Sequence, residues 1–306
     1  MIRYILRRVM YSVVTLLVLS LTIFLIVRAT GDPARVIAGA EASQEEVTAI
    51  RLDLGLDRSL VAQYSSFLGD IVTGDFGRSF HFRQPVLDVY RERLPRSLLL
   101  ATLAFALSLI IGIPAGVLTA VRPKGLAARI FRGVALTGVS VPNFVIATGL
   151  IYVFSVRLRV LPTSGSGSAK HLVMPTVALG WYFAAATMRL MQSSMLEVMR
   201  GEYVKLARLK GVPEWLVVLK HALKNSLIPV LTLAGVNFVV MVNVAVVVEQ
   251  IFAWPGIGDL VALGISVRDF PLIQGVVLMA GVMVVFVNLV LDIVYAWLDP
   301  RIRLSR

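Results

Sequence analysis

The chain has 306 residues, of which 58% are hydrophobic and 16% are charged, and its formal net charge is +12. Soluble globular domains are about 45–50% apolar and about 25% charged, so this composition excludes an ordinary soluble domain and indicates a membrane protein. The sequence contains no cysteine, which excludes disulfides, thiolate metal sites and a cysteine nucleophile.

Six runs free of Asp, Glu, Lys and Arg follow one another along the chain, each at or near the roughly 17–25 residues that cross a bilayer as a helix. They are residues 9–27, 97–121, 133–156, 172–188, 225–248 and 270–291. Backbone groups in lipid must be satisfied internally, which favours helices for runs of this length. We therefore predict an all-α membrane protein with six transmembrane helices.

The first run follows Arg3, Arg7 and Arg8, as the apolar core of a signal peptide would. Its core is about 19 residues long, however, and no A-x-A cleavage site comes directly after it. We expect residues 1–28 to hold a cytoplasmic N-terminus and a retained first span.

Residues 29–96 are too polar for a span and too long for a simple turn. Ser43 and Glu46 form a capping-box pattern, which opens a helix with Val47, Ile50 and Leu54 on one face. A second amphipathic pattern follows, with apolar residues at Leu60, Tyr64, Phe67, Leu68 and Ile71. The glycines of "TGDFGRSF" (73–80) then break the helix. We predict a small helical extracytoplasmic segment, with an ordered cap that has no function of its own as the alternative.

Residues 97–298 hold the other five spans. Gly112 and Gly116 form a G-x-x-x-G pattern, which predicts a close approach of two helices. Four prolines lie in or near spans and favour kinks, although ordinary packing explains them equally well: Pro114, Pro142, Pro175 and Pro229. The stretches "LPTSGSG" (161–167) and "WPGIGDL" (254–260) are typical of turns. Phe252 and Trp254 either form an interfacial or re-entrant plug there or simply belong to tight turns.

The distribution of Lys and Arg sets the predicted orientation. With the N-terminus in the cytoplasm, the cations around 3–8, 122–132, 202–224 and 301–306 lie inside, whereas the two short outside loops hold only Arg157, Arg159, Lys170 and Arg268. The segment 29–96 does not count, because long loops translocate regardless of charge. The positive-inside rule therefore predicts cytoplasmic N- and C-termini, with residues 299–306 as a cytoplasmic tail. The net charge follows from topology, so we expect no nucleic-acid partner.

Catalytic chemistry is absent from the sequence patterns. No Walker-type phosphate loop and no H-E-x-x-H motif occurs. The three histidines, His81, His171 and His221, are far apart and outside the spans, which argues against a metal site. We predict no catalytic residue and no metal site in this chain.

Polar side chains in or beside spans are expensive in lipid, so each needs a partner or a wet path. We consider five residues to be candidates for a translocation path: Asn143, Arg189, Asn237, Asn243 and Glu249. The alternative is that they form interhelical hydrogen bonds that stabilise the bundle.

The segment 197–224 is a cation-rich loop between two spans. Its residues 202–224 are "EYVKLARLKGVPEWLVVLKHALK". Helical periodicity over 202–210 predicts Val204, Ala207, Leu206 and Leu209 inward and Lys205 and Arg208 on another side. Gly211 interrupts this helix.

A second helix is predicted over 213–224, with Pro213 as its first residue and Val212 as its cap. Leu216, Leu219 and Leu223 lie along one side of it. Two short helices with an apolar edge in water require a partner.

This loop and several other stretches resemble a known family. The stretch "EYVKLARLKG…LKHALKNSLIPVLT" resembles the coupling loop of ABC-importer permeases, in the version of the dipeptide/oligopeptide (and nickel) permease family, first of its two membrane subunits. Further stretches along the chain carry the same resemblance: "GDFGRSF", "VLDVYRERLPRSLLLA", "IGIPAGVLTA", "HLVMPTVALG", "VEQIFAWPGIGDL", "RDFPLIQGV" and "DPRIR". The classical E-A-A-x-x-x-G pattern is altered to Lys205 and Leu206, so no carboxylate role is carried over there.

The resemblance implies a type I ABC-importer permease fold and a set of residues that couple to ATPase subunits. These residues are Glu202, Ala207, Gly211, Pro213, Glu214, Leu216, Lys220 and His221. It further implies a second homologous permease, two cytoplasmic ATP-binding subunits (or one fused ATPase chain) and an extracytoplasmic substrate-binding protein. ATP and magnesium would be bound by the ATPase subunits, with no cofactor in this chain.

The implied activity is import of dipeptides, oligopeptides or a related small solute (a nickel complex, glutathione, haem) across the bacterial cytoplasmic (inner) membrane by alternating access. Two other classes of protein fit the sequence less well. A self-sufficient channel or secondary carrier would need buried ionisable couplers in mid-span, and an intramembrane enzyme would need a convergent set of catalytic groups. The spans contain almost none of either.

Overall fold

The computed structural model describes residues 2–39, 42–53 and 55–298, and all regular elements in these ranges are helices. Two predicted features, Leu54 and the tail 299–306, lie outside the described residues. The chain divides into two compact units, one from residues 1–95 and 256–306 and the other from residues 96–255.

The first unit contains the N-terminal helices, the start of the long helix α5 and the two C-terminal helices. Its elements are α1 (Ile2–Thr30), α2 (Pro33–Ala38), α3 (Gln44–Asp53), α4 (Leu60–Thr73), α5 (Val86–Val121, which continues into the second unit), α12 (Ile257–Ser266) and α13 (Phe270–Leu298). Helix α13 packs against α1 and α12.

The two helices predicted after the first span are confirmed. The Ser43 backbone N–H donates to Glu46 at 2.9 Å and the Glu46 N–H donates to Ser43 Oγ at 3.2 Å, so the capping box at the start of α3 is closed. Ser59 caps α4, and Gly74 ends it with a φ of 83°. Helix α2, which begins behind the cap Asp32, was not predicted.

Asp269 anchors the loop that precedes α5. Its side chain is 1% exposed and accepts hydrogen bonds from Ser79 Oγ at 2.5 Å, from the His81 N–H at 3.0 Å and from the Leu272 N–H at 3.1 Å. A buried carboxylate with several donors is well satisfied, so it fixes this loop against the start of α13.

The second unit contains the remaining helices. They are α6 (Leu126–Ser140), α7 (Asn143–Leu150, continued by a π-helix Ile151–Arg157), α8 (Lys170–Met199), α9 (Glu202–Leu209), α10 (Glu214–Leu216, continued by a π-helix Val217–Leu223) and α11 (Lys224–Ile251). Helix α8 packs against α6, α7 and α11, and it contributes Met174, Ala178, Leu179 and Phe183 to the main apolar core.

The G-x-x-x-G prediction is confirmed at the crossing of α5 and α8. A Cβ atom at Gly112 would lie 2.7 Å from Thr187 Cβ, and one at Gly116 would lie 2.5 Å from Met191 Cβ. Real Cβ atoms do not approach so closely, so only glycine permits this crossing.

Among the described residues, four helices are long and apolar enough to cross a membrane, and a bent pair makes up to five. The bent pair shows that the predicted run 133–156 is not one continuous helix: α6 ends at Ser140 and α7 starts at Asn143, with an angle of 110°. Proline disfavours the helical conformation in the residue before it, and Val141 before Pro142 is extended. The run 172–188 is helical within α8, while its crossing of the membrane, and with it the count of six, stays a prediction.

Phe252 and Trp254, for which a plug and tight turns were the two alternatives, follow the end of α11 in a turn, and both side chains belong to the core of the second unit. They are 2% and 5% exposed. The Trp254 indole N–H donates to the Arg96 carbonyl at 3.1 Å, and the Phe252 carbonyl accepts from the Gly165 N–H at 2.8 Å. The stretch 161–167 is therefore held to the end of α11 by one backbone hydrogen bond, and its Leu161 packs against the same core.

Candidate functional site

The segment 197–224 folds into a small packed corner. Val204 and Ala207 of α9 are buried against Val217, with Val198 and Val212 beside them. This confirms the inward face predicted for Val204 and Ala207.

The inward prediction is wrong for Leu206 and Leu209, which are 53% and 85% exposed. Helix α9 has only one packed face, and residues at positions 204 and 207 occupy it because they are three apart. The leucines lie on the neighbouring face, also three apart, and point away from the corner.

Gly211 makes the turn between the two helices. Its φ is +77°, a left-handed conformation that side chains rarely adopt, and its N–H donates to the Arg208 carbonyl at 3.0 Å. Pro213 is the cap of the next helix and Glu214 is its first residue, one position later than predicted.

The second helix continues without a break into an apolar segment that is long enough to cross a membrane. Residues Glu214–Ile251 form one helix of 38 residues that includes a π-helical stretch. The face buried in this stretch is Val217, Val218 and Ala222, whereas Leu219 is 54% exposed. The predicted leucine edge is therefore divided, with Leu216 and Leu223 half-buried.

Trp215 was missed by the sequence reasoning, although a tryptophan beside a helix cap in a polar loop is an unusual residue. It is 62% exposed and lies four residues before the exposed Leu219, on the same face of the helix. We name the four side chains Leu206, Leu209, Trp215 and Leu219 the exposed apolar set.

An ion pair joins the two helices of the corner. The Arg208 guanidinium donates twice to Glu214, with Nε–Oε2 at 3.1 Å and Nη2–Oε1 at 2.6 Å. This hydrogen bond lowers the pKa of Glu214 and raises the pKa of Arg208. Because the folded pKa of Glu214 is lowered, the pair contributes at neutral pH and its contribution is lost as the pH falls through that lowered pKa.

The structure also describes three other predicted coupling residues, Glu202, Lys220 and His221. Lys205 Nζ bonds Glu202 at 2.7 Å, Lys220 is exposed and His221 is half-buried. The ion pair between Lys205 and Glu202 lies on the surface and contributes little to stability.

Exchanging the charges of the bidentate pair tests its part in the corner. Arg208→Glu alone places two carboxylates together and should disorder the turn, whereas Arg208→Glu combined with Glu214→Arg should restore most of it. We expect limited proteolysis of the purified protein to cut the single variant at 208–214 several-fold faster than the double variant. Equal rates in the two variants would contradict this role.

The five candidates for a path lie on three helices, and the structure does not gather them at one point by direct bonds. Asn143 starts α7 and Asn237 lies in α11, both half-buried. Arg189 in α8 is exposed, and the exposed Asn243 amide donates to the Val239 carbonyl of its own helix at 2.9 Å.

Glu249 differs from the others because it is 1% exposed and accepts from Ser97 Oγ at 2.6 Å. The bond joins α11 to α5, which is the interhelical alternative stated for these residues.

Removing the Ser97 hydroxyl should therefore destabilise the protein. A typical intramolecular hydrogen bond contributes about 0.5–1.5 kcal/mol, so Ser97→Ala should lower the free energy of unfolding by about that amount. Thermal unfolding in mild detergent measures it, with Ser266→Ala as the control, since Ser266 is exposed and bonds only its own helix. An unchanged unfolding midpoint in Ser97→Ala would show that the bond is not stabilising.

Comparison with known proteins decides the family. The model of the binding-protein-dependent transport system inner membrane component matches residues 112–304, and the corresponding N-terminal model matches residues 1–101. The chain belongs to this permease family. It is thus the permease subunit of an ABC importer and a multi-pass inner-membrane protein, as the resemblance implied.

Two curated relatives illustrate this. The glutathione transport system permease proteins GsiC of Shigella flexneri serotype 5b (strain 8401) and Escherichia coli (strain K12) are each 38% identical over 304 residues, which is 99% of this chain and 99% of each relative. The permease also resembles the crystal structure of an amino acid ABC transporter with histidines, with a TM-score of 0.53 and 16% identity over 68% of this chain and 92% of that one. This second likeness concerns the fold alone.

Proposed function

We propose that this permease imports small peptides, such as dipeptides, oligopeptides or the tripeptide glutathione, by alternating access driven by separate ATPase subunits. The observation that supports the coupling is the continuous helix from Glu214 to Ile251, which begins in the corner at Gly211 and extends through the second unit. A displacement of this corner would then be transmitted along one continuous helix.

The corner has the properties of a docking element. Its two helices are locked together by the Val204–Ala207–Val217 packing and the Arg208–Glu214 bond. The exposed apolar set faces outward from both helices, and large exposed apolar side chains rimmed by charge mark interaction sites. An ATPase subunit that binds this corner differently in its two states would bias the permease between its two conformations.

We also propose the roles of the other subunits of the transporter. ATP and magnesium would be bound by the cytoplasmic ATPase subunits, this chain having no ATPase activity and no cofactor. A second homologous permease would complete the pathway, and an extracytoplasmic binding protein would deliver the peptide. Both termini would lie in the cytoplasm, as the Lys and Arg distribution indicates.

The translocation path is proposed to include four polar residues of apolar helices, because their side chains are at least partly accessible. They are Asn143, Arg189, Asn237 and Asn243. Glu249 is proposed to stabilise the bundle instead, because it is buried and bonded to Ser97.

The substrate class is proposed from the relatives' names. Reconstitution tests it: the chain is affinity-purified with its associated subunits, placed in liposomes with the binding protein, and supplied with ATP and with labelled glutathione or labelled dialanine. We expect ATP-dependent uptake of at least one peptide. Uptake of neither, in vesicles that hydrolyse ATP in response to another solute, would overturn the peptide assignment; purification without any ATPase subunit would overturn the coupling.

A further inference from the structure

A cavity of about 380 Å³, lined by charged, polar and apolar side chains, lies in the first unit. It is bounded by the end of α1, the α1–α2 turn, α3 and the start of α4. The side chains that matter are Arg28, Asp32, Arg51, Leu56, Leu60 and Gln63. Nothing in the transport mechanism above uses them.

Two buried atoms around this cavity have no hydrogen-bond partner among the described residues. They are the Nε donor of Arg28 and the Oε1 acceptor of Gln63. The Gln63 amide nitrogen donates to the carbonyls of Leu56 at 3.1 Å and Arg58 at 2.8 Å, which fixes the orientation of this side chain. Leaving buried polar atoms without a hydrogen bond costs free energy. A ligand that satisfies both atoms would carry an acceptor for Arg28 and a donor for Gln63.

The charge of the cavity selects an anion. Arg28 and Arg51 contribute two positive charges, and Asp32 contributes one negative charge. Asp32 is ionised, because the hydrogen bond from Arg51 lowers the pKa of that carboxyl, and it also accepts from the Ala34 N–H at 3.1 Å. The lining is therefore net positive by one charge.

The length of the first span predicts that the cavity lies near the lipid headgroups. The apolar segment Leu6–Thr30 has 25 residues, and at 1.5 Å per residue it is about 37 Å long, against about 30 Å of hydrocarbon. Arg28 stands in its last turn and therefore reaches the polar boundary of the membrane.

The helices beside the cavity also expose apolar side chains as an interfacial segment does. Leu52 is 59%, Leu60 56%, Val61 80% and Val72 86% exposed. Such a surface fits a segment resting on lipid. A freely dissolved anion would not use these side chains, whereas the acyl chains of a lipid would.

We propose that the cavity binds the headgroup of a phospholipid. The phosphodiester accepts from Arg28 and Arg51, a headgroup hydroxyl or ammonium donates to Gln63 Oε1, and the acyl chains lie along Leu60. Bound lipid would then hold the small helices α2–α4 on the end of the first span.

The test uses the purified, delipidated transporter complex in detergent and native mass spectrometry. The wild-type complex is titrated with palmitoyl-oleoyl phosphatidylglycerol, phosphatidylethanolamine or phosphatidylcholine, and with the corresponding diacylglycerol, which lacks phosphate. We expect the first two lipids to bind best. Phosphatidylcholine, which has no headgroup donor, should bind about tenfold more weakly, and diacylglycerol more weakly still.

The variant Arg28→Gln should bind phosphatidylglycerol about tenfold more weakly than wild type. Arg58→Gln is the matched control, because Arg58 is an exposed cation of the same segment that does not line the cavity, and it should bind like wild type. The headgroup series on the wild-type chain keeps the proposal testable if Arg28→Gln fails to fold.

Three results would overturn the proposal: equal binding of diacylglycerol and phosphatidylglycerol, equal loss in the two arginine variants, or saturation of the site by inorganic phosphate or glutathione that phosphatidylglycerol does not displace. The last would make it a site for a soluble anion. Peptide uptake is not the readout, so the lipid site and the transport function fail separately.

Discussion

Replacing Leu209 by aspartate is expected to uncouple ATP hydrolysis from this permease while leaving its fold intact. Leu209 is 85% exposed at the end of α9, so no packing is lost within the chain. If an ATPase subunit covers it, the variant loses the burial of a leucine, worth about 1.5–3 kcal/mol, and buries an unpaired carboxylate besides. Docking should weaken at least about tenfold.

The measurement is recovery of ATPase subunits with the purified variant, together with substrate-stimulated hydrolysis of the complex in liposomes. Leu126→Asp is the matched control, since Leu126 is 73% exposed at the start of α6, where a helix N-terminus tolerates an added acid. We expect the control to retain both properties. Full recovery and stimulation in Leu209→Asp would show that the exposed apolar set is not the docking surface.

The features that the sequence predicted well are those set by neighbouring residues. The capping box of Ser43 and Glu46 closes within one helical turn, and the left-handed turn at Gly211 needs only its own φ and the adjacent carbonyl. Gly112 and Gly116 are also read correctly, because a small-residue face on a membrane helix has few uses other than close packing.

The features that could not be predicted from the sequence depend on tertiary contacts between separate helices and loops. Periodicity places Leu206 and Leu209 on an apolar face, but it does not reveal that the second helix covers Val204 and Ala207 and leaves the leucines free. The buried Asp269 is equally hidden from the sequence, since its donors Ser79 and His81 lie 190 and 188 residues earlier. The cavity at Arg28 and Gln63 likewise joins residues from separate helices.

The break at Pro142 shows a third kind of failure. Hydropathy treats the run 133–156 as uniform, because a window average weighs composition and not backbone geometry. A proline removes one N–H and restricts the residue before it, so Val141 turns extended and the helix stops at Ser140. The composition of the run is that of a span, but one proline divides it into two helices.

Replacing Gly116 by leucine is expected to be the most damaging single change in the second unit. Its Cβ would lie 2.5 Å from Met191 Cβ and 2.7 Å from the Met188 carbonyl, and a backbone carbonyl cannot rotate away as a flexible side chain can. Overpacking typically costs about 1–3 kcal/mol and occasionally more, and here helices α5 and α8 would have to separate. Every core contact made across this crossing would be weakened with it.

Gly133→Leu is the control for this variant, because it makes the same substitution within α6 at a glycine with nothing within 4 Å of the new Cβ. We expect Gly116→Leu to lower the thermal unfolding midpoint in mild detergent strongly, or to abolish monodisperse protein, and Gly133→Leu to leave it nearly unchanged. A Gly116→Leu protein as stable as the control would mean that the α5–α8 crossing adjusts without cost, and the small-residue face would then have no packing role.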